Sequence, residues 1–134
     1  MSDTAVKQEV LAGGAFLISP SQPADTFIPE MANEEQEMIR NMVRDFLHTE
    51  ILPFAKKIEK QEDNIAATLL DKMGELGLLG THMPAEFGGM AMDMNTNTLI
   101  ADELGPAGSF TVSYAAHIGI GMLPILYFGT PNQK

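Results

Sequence analysis

Three histidines, His48, His82 and His117, are the side chains best suited to exchange a proton near neutral pH. None has a second histidine or a carboxylate at the spacing of a helical zinc site, so no metal set is expected. His48, near Asp45 and Glu50, reads as part of a solvated helix face. His82, ahead of Met83-Pro84, reads as a donor to a loop carbonyl. His117 stands among apolar residues and reads as a satisfied core histidine. Asp102-Glu103 is the one carboxylate pair considered for acid–base work. Neighbours on a helix diverge by about 100°, so the two cannot share a substrate atom. They read as one solvated acid and one capping or interface acid. Gly88-Gly89 is followed by no Lys-Ser/Thr and is not a phosphate loop. Met83, Met90, Met92 and Met94 read as filling for an irregular core. With no cysteine there is no thiol nucleophile, disulfide scaffold or Cys-ligated metal. The residues alone therefore present no catalytic constellation.

Helices must position these side chains. The first is expected from about Asn33, where Asn33 and Gln36 have capping-box spacing and Glu34, Glu35 and Glu37 suit the positive helix end. Ile39, Met42, Val43, Phe46, Leu47, Ile51, Phe54 and Ile58 then recur at helical spacing, with Pro53 expected to kink or break the run. A second helix is predicted over about 65–76, with Gly77 as a left-handed C′ residue. A third is predicted from about Asn95 to Leu104, capped by Asp93 or Asn95 and stopped by Gly105-Pro106. A fourth is expected after Ser109, weakened by Gly119 and Gly121. A short helix is then expected from Pro124, as an N1 proline, to Phe128. Thr130-Pro131-Asn132-Gln133 has the form of another helix start, so the expectation is a chain truncated at Lys134. Residues 1–32 read as an extended N-terminal arm lying over the domain. They lack the basic and long apolar stretches of a secretory signal, and the arginines of a transit peptide.

The chain has 134 residues, enough for one domain with a core. Its 18 acids against 8 bases give a net charge of −10, which disfavours nucleic acid and anionic membranes as partners. Phe110–Phe128 holds no acid, Lys or Arg and is long enough to span a bilayer. Thr111, Ser113, His117, Gly119, Gly121 and Pro124 within it, and the absence of basic flanks, favour a helix buried inside a protein.

The second half resembles the N-terminal helical domain of the acyl-CoA dehydrogenases. The resemblance rests on Leu76-Gly77-Leu78-Leu79-Gly80, Pro84-Ala85-Glu86-Phe87-Gly88-Gly89 and Ala101-Asp102-Glu103-Leu104-Gly105. Ala116-His117, Pro124-Ile125, Phe128-Gly129-Thr130 and Gln133-Lys134 follow in the family's order. Gly13-Gly14-Ala15-Phe16-Leu17-Ile18 resembles the long- and very-long-chain branch. Met90-Ala91-Met92 departs from the family's usual Leu or Gly-Leu.

The resemblance implies an all-α, orthogonal helical bundle over 33–134. It also implies a parent enzyme that uses FAD to dehydrogenate fatty acyl-CoA thioesters, with the catalytic glutamate and most flavin contacts beyond Lys134. Val112, Ser113, Ala116 and Ile120 then match positions lining the acyl tail. Val112 and Ala116 stand where medium-chain relatives carry bulky polar residues, so long chains are expected to fit. An electron-transfer flavoprotein or similar acceptor, a homo-oligomeric parent, an inactive fragment and a bacterial cytoplasmic location are the remaining expectations. The alternatives are a stand-alone helical module binding a lipid or a partner, and another enzyme of the superfamily such as an acyl-CoA oxidase or flavin monooxygenase.

Overall fold

A computed structural model of the chain describes residues 14–134. It divides into two units, residues 1–33 and 34–134. In the first, the expected extended arm is interrupted by 3-10 turns at Ala15–Leu17, Pro23–Asp25 and Pro29–Met31. Gln22, Thr26 and Ile28 between them are extended. The two prolines each open a turn, where a missing N–H costs nothing and a fixed φ helps. Gly13 and the residues before it lie outside the described residues.

The second unit is all-helical. Its helices are α1 (Glu34–Phe46), α2 (Ala55–Glu59), α3 (Ile65–Glu75), α4 (Met94–Glu103), α5 (Ser109–Ala115) and α6 (Met122–Phe128). No β-strand occurs among the described residues. The long first apolar run ends its regular α1 portion at Phe46. It then continues as a π turn, Leu47–Ile51, and a 3-10 turn, Leu52–Phe54, into α2. Pro53 causes this, because an α-helical proline lacks the N–H and crowds the preceding turn. Gly77 ends α3 with φ 77° and Asp93 caps α4, its carboxylate accepting the Thr96 N–H at 2.8 Å.

The core forms where α1 packs along α4 and where α3 and α5 meet behind α2. Val43, Ile51, Met73, Ile100, Leu104 and Phe110 are all fully enclosed there. Two polar clusters pin α1 to α4. At one end Gln36 Nε2 donates to Thr96 Oγ1 at 3.1 Å and to Asp93 Oδ1 at 3.4 Å. At the other, Glu103 receives Arg40 and Arg44, with N–H···O distances of 2.5 and 3.1 Å from Arg44. These guanidinium bonds, Arg44's first, hold the Glu103 carboxyl below the usual glutamate range against the opposing effect of burial.

Candidate functional site

The apolar run after Ser109 forms one continuous helical stretch, Ser109–Phe128. The short separate helix expected to begin at Pro124 is not formed. Pro124 lies in the first turn of α6, inside that stretch. A π turn, Ala116–Gly121, joins α5 to α6, and the Met122 N–H reaches back to His117 O. The wider turn precedes the proline, where a plain α-helix would need an N–H that Pro124 lacks.

Only the start of this stretch is firmly held. Phe110 and Tyr114 are buried, and Tyr114 OH donates to Leu78 O at 2.9 Å. Thr111 Oγ1 donates to Leu104 O at 2.5 Å. At the N-terminus Gly108, with φ 62° and ψ −128°, offers no side chain. Glu59, from α2, takes its place, accepting the Ser109 N–H at 3.1 Å. The bond to Ser109 keeps the Glu59 carboxyl ionised to lower pH than an ordinary glutamate.

Two rows run along the stretch at steps of four residues. Phe110, Tyr114, Ile118, Met122 and Leu126 face inward, buried or half-buried. In the other row Val112, Ile120, Pro124 and Phe128 are exposed, while Ala116 among them is half-buried. Val112 is 70%, Ile120 81% and Phe128 88% exposed. In an unbroken α-helix, residues four apart drift by about 40° per step, and the rows would exchange sides over this length. The π turn, Ala116–Gly121, takes up part of that drift.

Of the four expected site residues, Val112 and Ile120 are exposed and Ser113 and Ala116 half-buried, with Ser113 Oγ donating back to Ser109 O at 3.4 Å. The expected burial of the helix is not found within this chain. Only 11% of its most apolar window is buried, because the core supplies partners for the inward row alone. By length and composition it is the one helix among the described residues able to cross a membrane, with a mean hydropathy of 1.4. His117 lies on the exposed side and is not a core histidine.

At the far end of the stretch, a pocket of about 180 Å³ opens between α6 and the Pro84–Gly89 loop. Met83, Phe87, Met122, Ile125 and Leu126 line it, with Gln133 and Lys134 at its edge. Lys134 Nζ stands 6.0 Å from the Phe87 ring centre. Of its lining residues Met83 belongs to the methionine cluster read from the sequence as core filling; the pocket itself joins three separate segments, which leaves no local pattern. The loop itself is tightly knotted. Gly80 O accepts from Met90, Thr81 O from Met92 and Met83 O from Ala91. His82 does not make the expected bond to a loop carbonyl through Nε2, which is buried without a partner. His48 is exposed, as is Asp102, while Glu103 turns inward. Among the described residues no group of three or more His, Cys, Asp or Glu side chains is placed to hold a metal.

Comparison with known proteins decides the family. Residues 33–134 match the acyl-CoA dehydrogenase N-terminal domain. The chain belongs to that family. An acyl-CoA dehydrogenase of Bacillus anthracis, solved in complex with FAD, is 40% identical with a TM-score of 0.81; the match covers 90% of this chain and 21% of that one. A probable acyl-CoA dehydrogenase of Bacillus subtilis is 40% identical over 94% of this chain and 21% of its own length. The mitochondrial short-chain-specific acyl-CoA dehydrogenase of Bos taurus is 33% identical over 75% of this chain and 24% of its own. The chain thus spans between a fifth and a quarter of these relatives. The all-helical acyl-CoA dehydrogenase domain is the fold expected from the sequence. Short-chain enzymes stand among its relatives, so family membership does not select a chain length.

Proposed function

We propose that this chain is the N-terminal portion of an FAD-dependent acyl-CoA dehydrogenase and supplies one wall of the acyl cleft. The observation that supports the reading is exposed Val112 and Ile120, with half-buried Ala116 between them, on a helix whose own domain leaves it largely uncovered. A line of aliphatic side chains without charge suits an alkyl tail. Ser113 flanks the line. Val112 and Ala116 are small enough to leave the slot open, which supports a parent acting on long fatty acyl-CoA substrates, as in β-oxidation.

Neither of two pockets among the described residues suits FAD by itself. The pocket beside Phe87 is about 180 Å³, below the ~300 Å³ at which ligand pockets begin. A larger, open groove of about 670 Å³ between α1 and α3 carries Asp45, Glu50 and Glu75 against Lys72, whose ammonium is already paired with Glu50, a lining that does not favour a pyrophosphate. No step of flavin chemistry is assigned to this chain, and the isolated chain is expected to be inactive. Reoxidation of the parent by an electron-transfer flavoprotein or similar acceptor, its assembly as a homo-oligomer and its location in a bacterial cytoplasm belong to the same proposal.

The test is the intact mass of the native gene product, followed by its flavin content and acyl-CoA oxidation. A mass several-fold above 14.5 kDa with bound flavin is expected. A native product of 14.5 kDa would overturn the reading in favour of a binding module. In the full-length enzyme, Ala116→Glu should shift preference from palmitoyl-CoA toward octanoyl-CoA by placing a charge in the slot. An unchanged preference would remove Ala116 from the wall.

A further inference from the structure

We infer that Pro124 is a positioning residue for chain-length selection: by excluding α geometry ahead of it, it holds the π turn that aligns Ile120 with Val112. The inference rests on the reading of this helix as an acyl wall. It starts from the two rows. If Val112 sets the zero, an α-helix would carry Ile120 about 80° round the axis, off the outward line. In the structure Ile120 is 81% and Val112 70% exposed, on either side of the π turn's first residue, half-buried Ala116.

Three residues permit this. Pro124 has no N–H for Ile120 O, and in α geometry its ring would press on that carbonyl. The π turn ends one residue before α6, so Pro124 falls within the first helical turn after it, where a missing N–H is tolerated. Gly119 and Gly121 lower the helix propensity of the segment. Neither glycine is needed for space: a Cβ at Gly119 would meet nothing within 4 Å, and one at Gly121 would meet only Ala116 O at 3.5 Å. Alanine is therefore admissible at both sites, and all three positions are open to substitution without a clash.

The consequence is a slot wall with a straight apolar edge. If the turn closes to α geometry, Ile120 swings out of line and a different side chain enters the path of the distal tail. The depth of the slot, rather than its chemistry, would change.

Because the chain has no cysteine, Val112→Cys and Ile120→Cys each provide a single label site. Maleimide labelling rates are compared on the 134-residue chain, with and without Pro124→Ala, and with Pro124→Ala combined with Gly119→Ala and Gly121→Ala. The expected result is similar rates at both sites in the parent background, and a several-fold loss at position 120 alone in the triple variant. An unchanged ratio in the triple variant overturns the role of Pro124, whatever the wall does. The palmitoyl-CoA to octanoyl-CoA preference of the flavin-loaded full-length protein is then compared for the same variants. A shift in that preference is expected. A moved label ratio with an unmoved preference, or with only a lowered Tm, overturns the specificity role. Ala116→Glu, measured alongside, reports separately on whether the helix is a wall at all.

Discussion

Tyr114→Phe isolates the bond that ties the Ser109–Phe128 helix to the domain. Tyr114 is 3% exposed and its hydroxyl donates to Leu78 O at 2.9 Å. The ring stays in the variant, so packing is conserved and only the hydroxyl is lost. Leaving a buried carbonyl without this donor costs about 1–3 kcal/mol. For a domain of this size that lowers Tm by about 4–8 °C per kcal/mol. The pH dependence supplies a second, sharper signature. Burial pushes the Tyr114 hydroxyl up to about 12 from 10, with the Thr81 hydrogen bond acting in the opposite sense. A folded pKa above the unfolded one stabilises fully below pH 10 and loses that stabilisation as pH rises toward 12. Two units correspond to about 3 kcal/mol. The parent should therefore weaken between pH 10 and 12, while the phenylalanine variant, lacking the titrating group, does not share this loss. Urea unfolding followed by circular dichroism at pH 8, 10 and 11 measures both. Equal stability at pH 8 would refute the hydrogen-bond argument. A gap that stays constant from pH 8 to 11 would refute the burial argument.

Two further outcomes follow from the packing. Glu103→Gln should cost about 1.5–3 kcal/mol at pH 7, the range for hydrogen bonds to charged groups. Its folded pKa is depressed, so this contribution exists above the ordinary glutamate value and is lost as pH falls through the lower folded one; urea melts at pH 7 and pH 3 should show the gap closing. Gly89→Ala should destabilise the Pro84–Gly89 loop by more than ~1 kcal/mol, the typical point-mutant effect, because its Cβ would fall 2.1 Å from Met83 O; a Tm equal to that of the parent would show that the loop yields freely.

Much of this fold was legible because short-range chemistry decides it. The apolar spacing of Ile39, Val43 and Phe46 places α1, Gly77 ends α3 and Asp93 caps α4 through a bond three residues long. The errors arise where the deciding partner is distant or the period changes. Pro124 has a composition that suits a helix start, yet it sits in the first turn of a continued helix because the π turn ahead of it absorbs the missing bond. A stride of four is hard to separate from a stride of 3.6 over one short run, so neither π turn was visible as a pattern. His117 was misplaced for the same reason. The ties between Gln36 and Thr96, and between Glu103 and its two arginines, span about sixty residues and leave no local trace. Val112, Ser113, Ala116 and Ile120 are proposed as tail-lining through the family resemblance alone. No property of those residues taken singly marks them.

The cap on the Ser109–Phe128 helix has a bearing on how the chain comes to be folded. Most helices carry their start signal in the residue beside the first turn. Here the acceptor for Ser109 lies fifty residues upstream, on Glu59. During synthesis α2 leaves the ribosome well before Ser109 does, so the carboxylate is already present when the apolar stretch emerges. A peptide of residues 109–128 alone would lack both that acceptor and the Leu78 carbonyl. Its conformation is lent by the part of the domain made first.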